Sequence, residues 1–246
     1  MLYLIGLGMD LEGISLEGLR AIERCKKVYL ENYTASLPYS KEKLEKTIRK
    51  TIIPANREFI ESFRIIGEAK KENVALLIYG NPLAATTHIT LVHEARKKKI
   101  KCEIIHGASI WDAIAETGLQ LYKFGKTSSI PKWKKECGYE PTSFAEIIKQ
   151  NLSINAHTLL LVDPGLEFRE CLKELKESAK KHKIKIDKII VCQKLGTKES
   201  KVIYIDFKKC EKLKEVKKPY CIIIPSKLHF TEEEFLESCI SRDTKI

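Results

Sequence analysis

Five short stretches hold the residues with chemistry to offer: GLGMD (6–10), GNPLAATTH (80–88), HGASI (106–110), DPG (163–165) and KLG (194–196). Each follows an apolar run with the length and composition of a buried strand. Glycine permits positive φ and a close approach of main chain to a ligand. Pro82 fixes φ and removes a donor, so the turn after Gly80 is stiff. Ala84, Ala85, Thr86 and Thr87 leave room beside that turn. The combination makes a ledge for a flat or bulky ligand laid against backbone, which is binding chemistry rather than acid–base chemistry.

Plainer readings stand beside this one. Leu11 occupies the place of the third glycine in G-x-G-x-x-G, so a tight strand exit accounts for GLG better than a dinucleotide turn does. Thr86 or Thr87 fits equally well as the N-cap of the following helix. His88 and His93 stand five apart on that helix, the wrong spacing for a shared metal face, and no H-E-x-x-H is present. His157 opens a strand and fits a structural hydrogen bond better than catalysis. His229 fits either role, and Asp163 before Pro164 fits a cap or a turn. No spacing supports a Ser–His–Asp or paired-carboxylate arrangement. The eight cysteines are scattered without a C-x-x-C, which speaks against zinc or a dithiol and for a reducing cytosol.

The elements that must position these stretches alternate. LYLIGLG, KVYLENY, VALLIYG and KCEIIHG read as strands. Between them lie amphipathic windows: a helix capped by Ser15 with Leu16, Leu19, Ile22 and Cys25 on its apolar face, KEKLEKTIRK, one helix over REFIESFRIIGEAKK, and one over 87–98. Strands separated by helices predict βαβ units and a mostly parallel sheet. ASIWDAIAETGL reads as a small helix ending near Gly118, and YKFGKTSSIPKWKKECGYEPTS as irregular. Then come FAEIIKQNL (helix), HTLLLVD (strand), FRECLKELKESAKKH (helix), three strands in KIIVCQKLG, KVIYIDF and YCIIIPSKLHF, and a closing helix TEEEFLESC. Three strands with little helix between them predict a partly antiparallel second sheet. The boundary is placed within 107–113, giving an N-terminal α/β domain, 1–110, and a C-terminal α/β domain, 111–246.

At 246 residues the chain is ample for a sizeable core. No apolar run approaches the ~18 residues of a membrane span, and MLYLIGLGMD reads as a first buried strand rather than a signal peptide. The net charge of +11 gathers in RKKKIK (96–101), PKWKKE (131–136) and KKHKIKIDK (180–188). Solvated helix ends explain most of it. The alternative is attraction to a polyanion or to an acidic or ribosome-associated protein, with no nucleic-acid module alongside.

Taken in order, MLYLIGLG, GLRAIERCKKVYLENYTA, GNPLAATTH, IIHGASIWDAIAETGLQLYKFGKT, PTSFAEIIKQNLSINAHTLLLVD and IIIPSKLHF resemble the diphthine synthase family, in the tetrapyrrole-methylase class (class III) of S-adenosylmethionine (SAM) methyltransferases. The resemblance runs over nearly the whole chain, with ATTH and TGLQLYKFGKT its most specific blocks. It implies a two-domain α/β fold, a mostly parallel N-terminal and a mixed C-terminal sheet, SAM in a cleft between the domains, and a homodimer. It implies as substrate translation elongation factor 2, whose 3-amino-3-carboxypropyl-histidine is N-methylated repeatedly to diphthine in diphthamide biosynthesis. Eukaryotic members add a methyl ester.

Matching stretches carry the implied SAM contacts to Met9, Asn81 and Ala84, Ser109 and Ile110, Val162, Leu195 and Tyr220. The chain departs from the family where it has Asn81 for the Asp of Gly-Asp-Pro, Tyr220 for a His, and Ser226 for a Gly. If main chain carries the Asn81 contact, the change costs little; if the carboxylate matters, cofactor affinity falls.

A sulfonium methyl is already electrophilic, and an α-amino group with a pKa of about 8 has a useful neutral fraction near pH 7. Orientation and water exclusion are the work left, worth up to roughly 7–11 kcal/mol. The expectation is therefore no catalytic acid or base, no metal, no membrane and no direct nucleic-acid contact. Two alternatives remain open: a same-fold methylase acting on RNA or a tetrapyrrole, and a non-catalytic SAM-binding relative.

Overall fold

The protein is seen here as a computed structural model, which describes residues 1–213 and 215–239. The chain forms two compact units, Met1–Ala113 and Ile114–Ile246.

The first unit is a five-stranded, all-parallel sheet of β1 (Leu2–Gly6), β2 (Lys27–Glu31), β3 (Ile53–Ala55), β4 (Val74–Ile78) and β5 (Cys102–Ile105), in the order β3-β2-β4-β1-β5. Every residue of β1 and β4 is buried, because helices cover both faces. Alternation sorts the side chains. Tyr3, Ile5, Ala75 and Leu77 pack with α1 (Leu16–Glu23) and α2 (Lys41–Ile48). Leu2, Leu4, Leu76 and Ile78 pack with α4 (Arg64–Ala69) and α5 (Ile89–Lys97).

Two helical expectations change. REFIESFRIIGEAKK is two short helices, α3 (Arg57–Glu61) and α4, broken at Phe63 in the left-handed region (φ 58°). The break lets Phe59 and Phe63 both pack on the core, with Phe59 stacked on Tyr29 at 4.9 Å. In α1 the cap is Ser15, as expected, but Leu16 is 72% exposed. The buried face is Gly18, Ala21 and Ile22, because a bare Gly18 lets the helix sit directly on Ile5.

The second unit is a mixed sheet, β6-β7-β10-β8-β9, of β6 (Ser128–Ile130), β7 (Thr158–Val162), β8 (Lys188–Gln193), β9 (Lys201–Asp206) and β10 (Tyr220–Ile224). Only β6 and β7 pair in parallel; the others are antiparallel. β6 lies in the stretch expected to be irregular. The short α6 (Ile110–Ala113) ends the first unit. α7 (Ser143–Ser153) and α8 (Phe168–Lys181) cover the second sheet, and α9 (Phe230–Ser238) closes the described chain. Among the described residues no helix is long and apolar enough to cross a membrane.

Candidate functional site

In the first unit β1 and β4 are neighbours, yet the helices that follow them, α1 and α5, cover opposite faces. Such a switch point leaves a crevice at the carboxyl ends of the strands, where open α/β sheets bind ligands. Met9, Asn81, Ala84 and Ser109 lie on the loops leaving β1, β4 and β5 at this edge, and Ile110 opens α6 directly after the last of them.

The glycines here join loops to one another. Gly80 N–H donates to Gly8 O at 2.9 Å, and Gly8 N–H to Gly80 O at 3.2 Å. Both take positive φ, 68° and 77° for Gly8 and Gly80. A Cβ on Gly6 would stand 2.6 Å from Gly107 N and Gly80 O; one on Gly107 would stand 2.7 Å from Gly8 N. Three strand exits therefore meet main chain to main chain. Tyr79 adds a side-chain tie, its hydroxyl donating to Met9 O at 3.1 Å.

Asn81 is a cross-brace. Its Nδ2 donates to Gly107 O at 3.2 Å and faces His106 Nδ1 at 3.0 Å, while Oδ1 accepts from Leu83 N–H at 3.1 Å. A carboxylate, having no donor, cannot make the Gly107 bond. The departure from Gly-Asp-Pro thus has a structural use in this chain. Ala84, half-buried, closes the turn by donating its N–H to Asn81 O at 3.1 Å. Met9 and Ser109 are buried, and Ile110 is half-buried. The Ser109 N–H and hydroxyl both donate to Asp112 Oδ2, at 2.7 and 2.8 Å, and these bonds lower the Asp112 pKa. Neither Thr86 nor Thr87 is the N-cap of α5. That place falls to His88, whose N–H is accepted by Thr86 Oγ1 at 3.3 Å.

The second unit gathers its own three residues. In register, Cys221 faces Leu161 and Tyr220 faces Gln193, so Val162, Leu195 and Tyr220 share one edge of the sheet. The KLG turn there has Lys194 at φ 47°, donating N–H to Pro219 O at 2.8 Å. Glu116 holds the same turn by accepting from Gly196 N–H at 2.7 Å and from the Ser200 hydroxyl. Leu195 is buried. The Tyr220 ring is in the core, edge-on to Phe168 at 5.7 Å, its hydroxyl donating to Leu166 O at 3.1 Å. Burial pushes that phenol far above its ordinary pKa. Main chain is what Tyr220 has left to offer a ligand.

Other conspicuous residues of the second unit do structural work. Glu232, fully buried, accepts from Gln120 N–H at 2.9 Å, His229 N–H at 2.7 Å, Lys123 Nζ, and His157 Nε2 at 3.3 Å. Burial alone would raise its pKa, but these bonds bring it down to about 2. His157 Nδ1 accepts from Ser226 N–H at 2.9 Å, and burial lowers its pKa. In FGKT, a Cβ on Gly125 would stand 2.3 Å from Asn151 Oδ1, the atom that accepts from Lys126 N–H. Asp163 is a turn residue, accepting from Gly165 N–H. His229 caps α9. Sequence reasoning missed Glu232 and Glu116. The one signal available was His229 followed by Glu232, the spacing of a capping box.

The first edge suits a donor such as SAM in its chemistry: main chain from three strand exits meets there, with Ala84 and Ile110 half-buried beside it. Among the described residues no three His, Cys, Asp or Glu side chains are grouped as a metal ion would require.

Comparison with known proteins bears on the family. The family model for tetrapyrrole (corrin/porphyrin) methylases matches residues 1–209. The chain is 38% identical over 253 aligned positions to the diphthine synthase of Methanocaldococcus jannaschii, covering 96% of this chain and 98% of that protein. It is 48% identical over 166 positions to the diphthine methyl ester synthase of Schizosaccharomyces pombe, a match spanning 66% of this chain and 58% of that protein. A crystal structure of diphthine synthase superposes with a TM-score of 0.86 at 32% identity, covering 97% of this chain and 95% of that one.

Proposed function

The chain belongs to the tetrapyrrole methylase family of SAM-dependent methyltransferases, and from that membership we propose that it is a diphthine synthase. It N-methylates, repeatedly, the 3-amino-3-carboxypropyl-histidine of translation elongation factor 2 in diphthamide biosynthesis. The observation that carries the reading is the glycine-closed edge of the first sheet, in a chain similar to a diphthine synthase over nearly its full length. The acceptor being a protein, we place the reaction in the cytosol, where eight free cysteines are at home, and a homodimer as the working form.

SAM supplies an electrophilic methyl group on a sulfonium. As binding residues we propose Met9, Asn81, Ala84, Ser109, Ile110, Val162, Leu195 and Tyr220. The protein's contribution is placement. The Pro82 turn is held on three sides, by Gly8, by Gly107 through Asn81, and by its own Ala84 N–H, so its main chain does not reorganise when a ligand arrives. The higher identity to methyl ester synthases over two thirds of the chain favours a second reading, in which a further methyl goes to the carboxylate.

The test is incubation of the purified protein with labelled SAM and the 3-amino-3-carboxypropyl form of elongation factor 2. Label on the factor supports the reading, and mass spectrometry counts the methyl groups. Binding of SAM without transfer would instead support a non-catalytic relative. Ala84→Trp should abolish SAM binding in calorimetry while leaving the melting temperature nearly unchanged; retained affinity would remove the ledge from the site.

A further inference from the structure

The stretch LENYTA (30–35) leaves β2, the neighbour of β4, and the donor edge described above does not use it. Glu31 is 4% exposed. Its Oε1 accepts the N–H groups of Tyr33 at 2.6 Å and Thr34 at 2.7 Å, and Oε2 accepts the Thr34 hydroxyl. This fixes the chain reversal that presents Tyr33. The Tyr33 hydroxyl lies 3.5 Å from His88 Nε2, and His88 Nδ1 lies 3.3 Å from Pro82 O. Tyr33 is therefore tied to the donor turn through a single imidazole.

Donor and acceptor roles along this chain of contacts are forced. A carbonyl only accepts, so His88 Nδ1 carries the proton. His88 is 1% exposed, and burial holds its pKa below the ordinary value against the pull of Glu31, so the ring is neutral. Neutral imidazole has one N–H, which leaves Nε2 to accept the Tyr33 hydrogen. The phenol oxygen of half-buried Tyr33 can then only accept from a third partner. Burial first, then Glu31 and Glu61, keep the phenol protonated by raising its pKa to about 12, with Arg57 acting in the opposite direction from the ring face at 4.9 Å.

We propose that the Tyr33 oxygen accepts an N–H of the substrate amine, and that His88 sets it in register with the Pro82 turn. The site takes a primary or secondary aliphatic amine, and the inference rests on the methyl-transfer reading above. In each transfer the nitrogen lone pair forms the new N–C bond and the electrons of the S–C bond stay on sulfur. After each of the first two transfers the ammonium proton passes to water, restoring a lone pair. The reactive amine therefore has two N–H bonds before the first transfer, one before the second and none before the third. A hydrogen bond to Tyr33 is available to the first two steps alone.

The experiment measures the three single-turnover rates of Tyr33→Phe by mass spectrometry, using the unmethylated, mono- and dimethylated 3-amino-3-carboxypropyl form of elongation factor 2, the latter two prepared by the wild type under limiting SAM. SAM affinity is measured by calorimetry alongside. The first two rates should fall about tenfold, the worth of one hydrogen bond, with the third rate and SAM affinity unchanged. Equal loss in all three steps, no loss in any, or weakened SAM binding would overturn the assignment of Tyr33. Failure of the wild type to transfer any methyl group would overturn the function and this site together.

Discussion

In the first unit the loops after β1, β4 and β5 meet through glycine main chain, whereas in the second unit residues 120–123, His157 just before β7, and α9 meet through the carboxylate of Glu232. The first device involves no charge and is indifferent to pH, but a single added carbon breaks it. The second tolerates changes of shape around it and depends on one ionised group kept out of water. A ligand edge gains from the first, because main chain cannot swing away. A remote clasp can use the second.

The largest expected effect comes from removing the clasp. Glu232→Ala leaves Lys123, His157 and two backbone N–H groups without a buried partner, at a cost of about 3–5 kcal/mol. The melting temperature should fall by roughly 10 °C. A fall of a degree or two would mean that the second unit does not depend on this carboxylate.

Acid attacks the same clasp. Glu232 has its pKa lowered from 4.5 to about 2, so its contribution is present above pH 4.5 and is lost as pH falls toward 2, about 3 kcal/mol in all. His157, whose folded pKa is lowered, opposes the folded state as soon as pH drops below its ordinary 6.5. Denaturant titrations between pH 7 and 3 should show stability falling throughout in the wild type. In Glu232→Gln the loss between pH 4.5 and 3 should be about 2 kcal/mol smaller; an unchanged acid limb would break the contrast between the units.

Gly107→Ala tests the other device. Its Cβ meets main chain at 2.7 and 2.8 Å, so about 1–3 kcal/mol of strain is expected, with SAM affinity down at least tenfold. Gly138→Ala is the control: its φ of 66° also carries strain, but nothing lies within 4 Å of its Cβ, so stability should fall by about 1 kcal/mol with SAM affinity intact. The smallest effect belongs to Asn81→Asp, which turns the donor facing Gly107 O into an acceptor. About 1 kcal/mol and a few-fold weaker SAM binding are expected by calorimetry; tighter binding would show that a carboxylate at this position serves the donor directly.

Much of this was legible in residues. Apolar runs, three of them ending in glycine, located four of the five parallel strands, and the dense strands after 188 announced antiparallel pairing. TIIP (51–54), which overlaps β3, reads from sequence as no more than a short extended piece, and β6 is not read at all, since three residues in a turn-rich stretch carry no period to detect. The continuous helix over 57–71 failed because the gain from packing two phenylalanines exceeded the preference for unbroken helix. At the rim of the first sheet, the sequence singled out the turns after β1, β4 and β5 for a close approach to a ligand, whereas their glycines touch one another.

By itself, the sequence determined the alternation of strands and helices, the stiff turn at Pro82 and the small residues beside it, because these follow from local φ restriction and side-chain size. Only the tertiary structure decided that Gly8, Gly80 and Gly107 close on one another, that Asn81 spans two loops, and that Glu232 answers residues more than a hundred positions away. Such contacts join strand exits that are adjacent in the sheet and distant along the chain, and no local pattern encodes which exits will be neighbours.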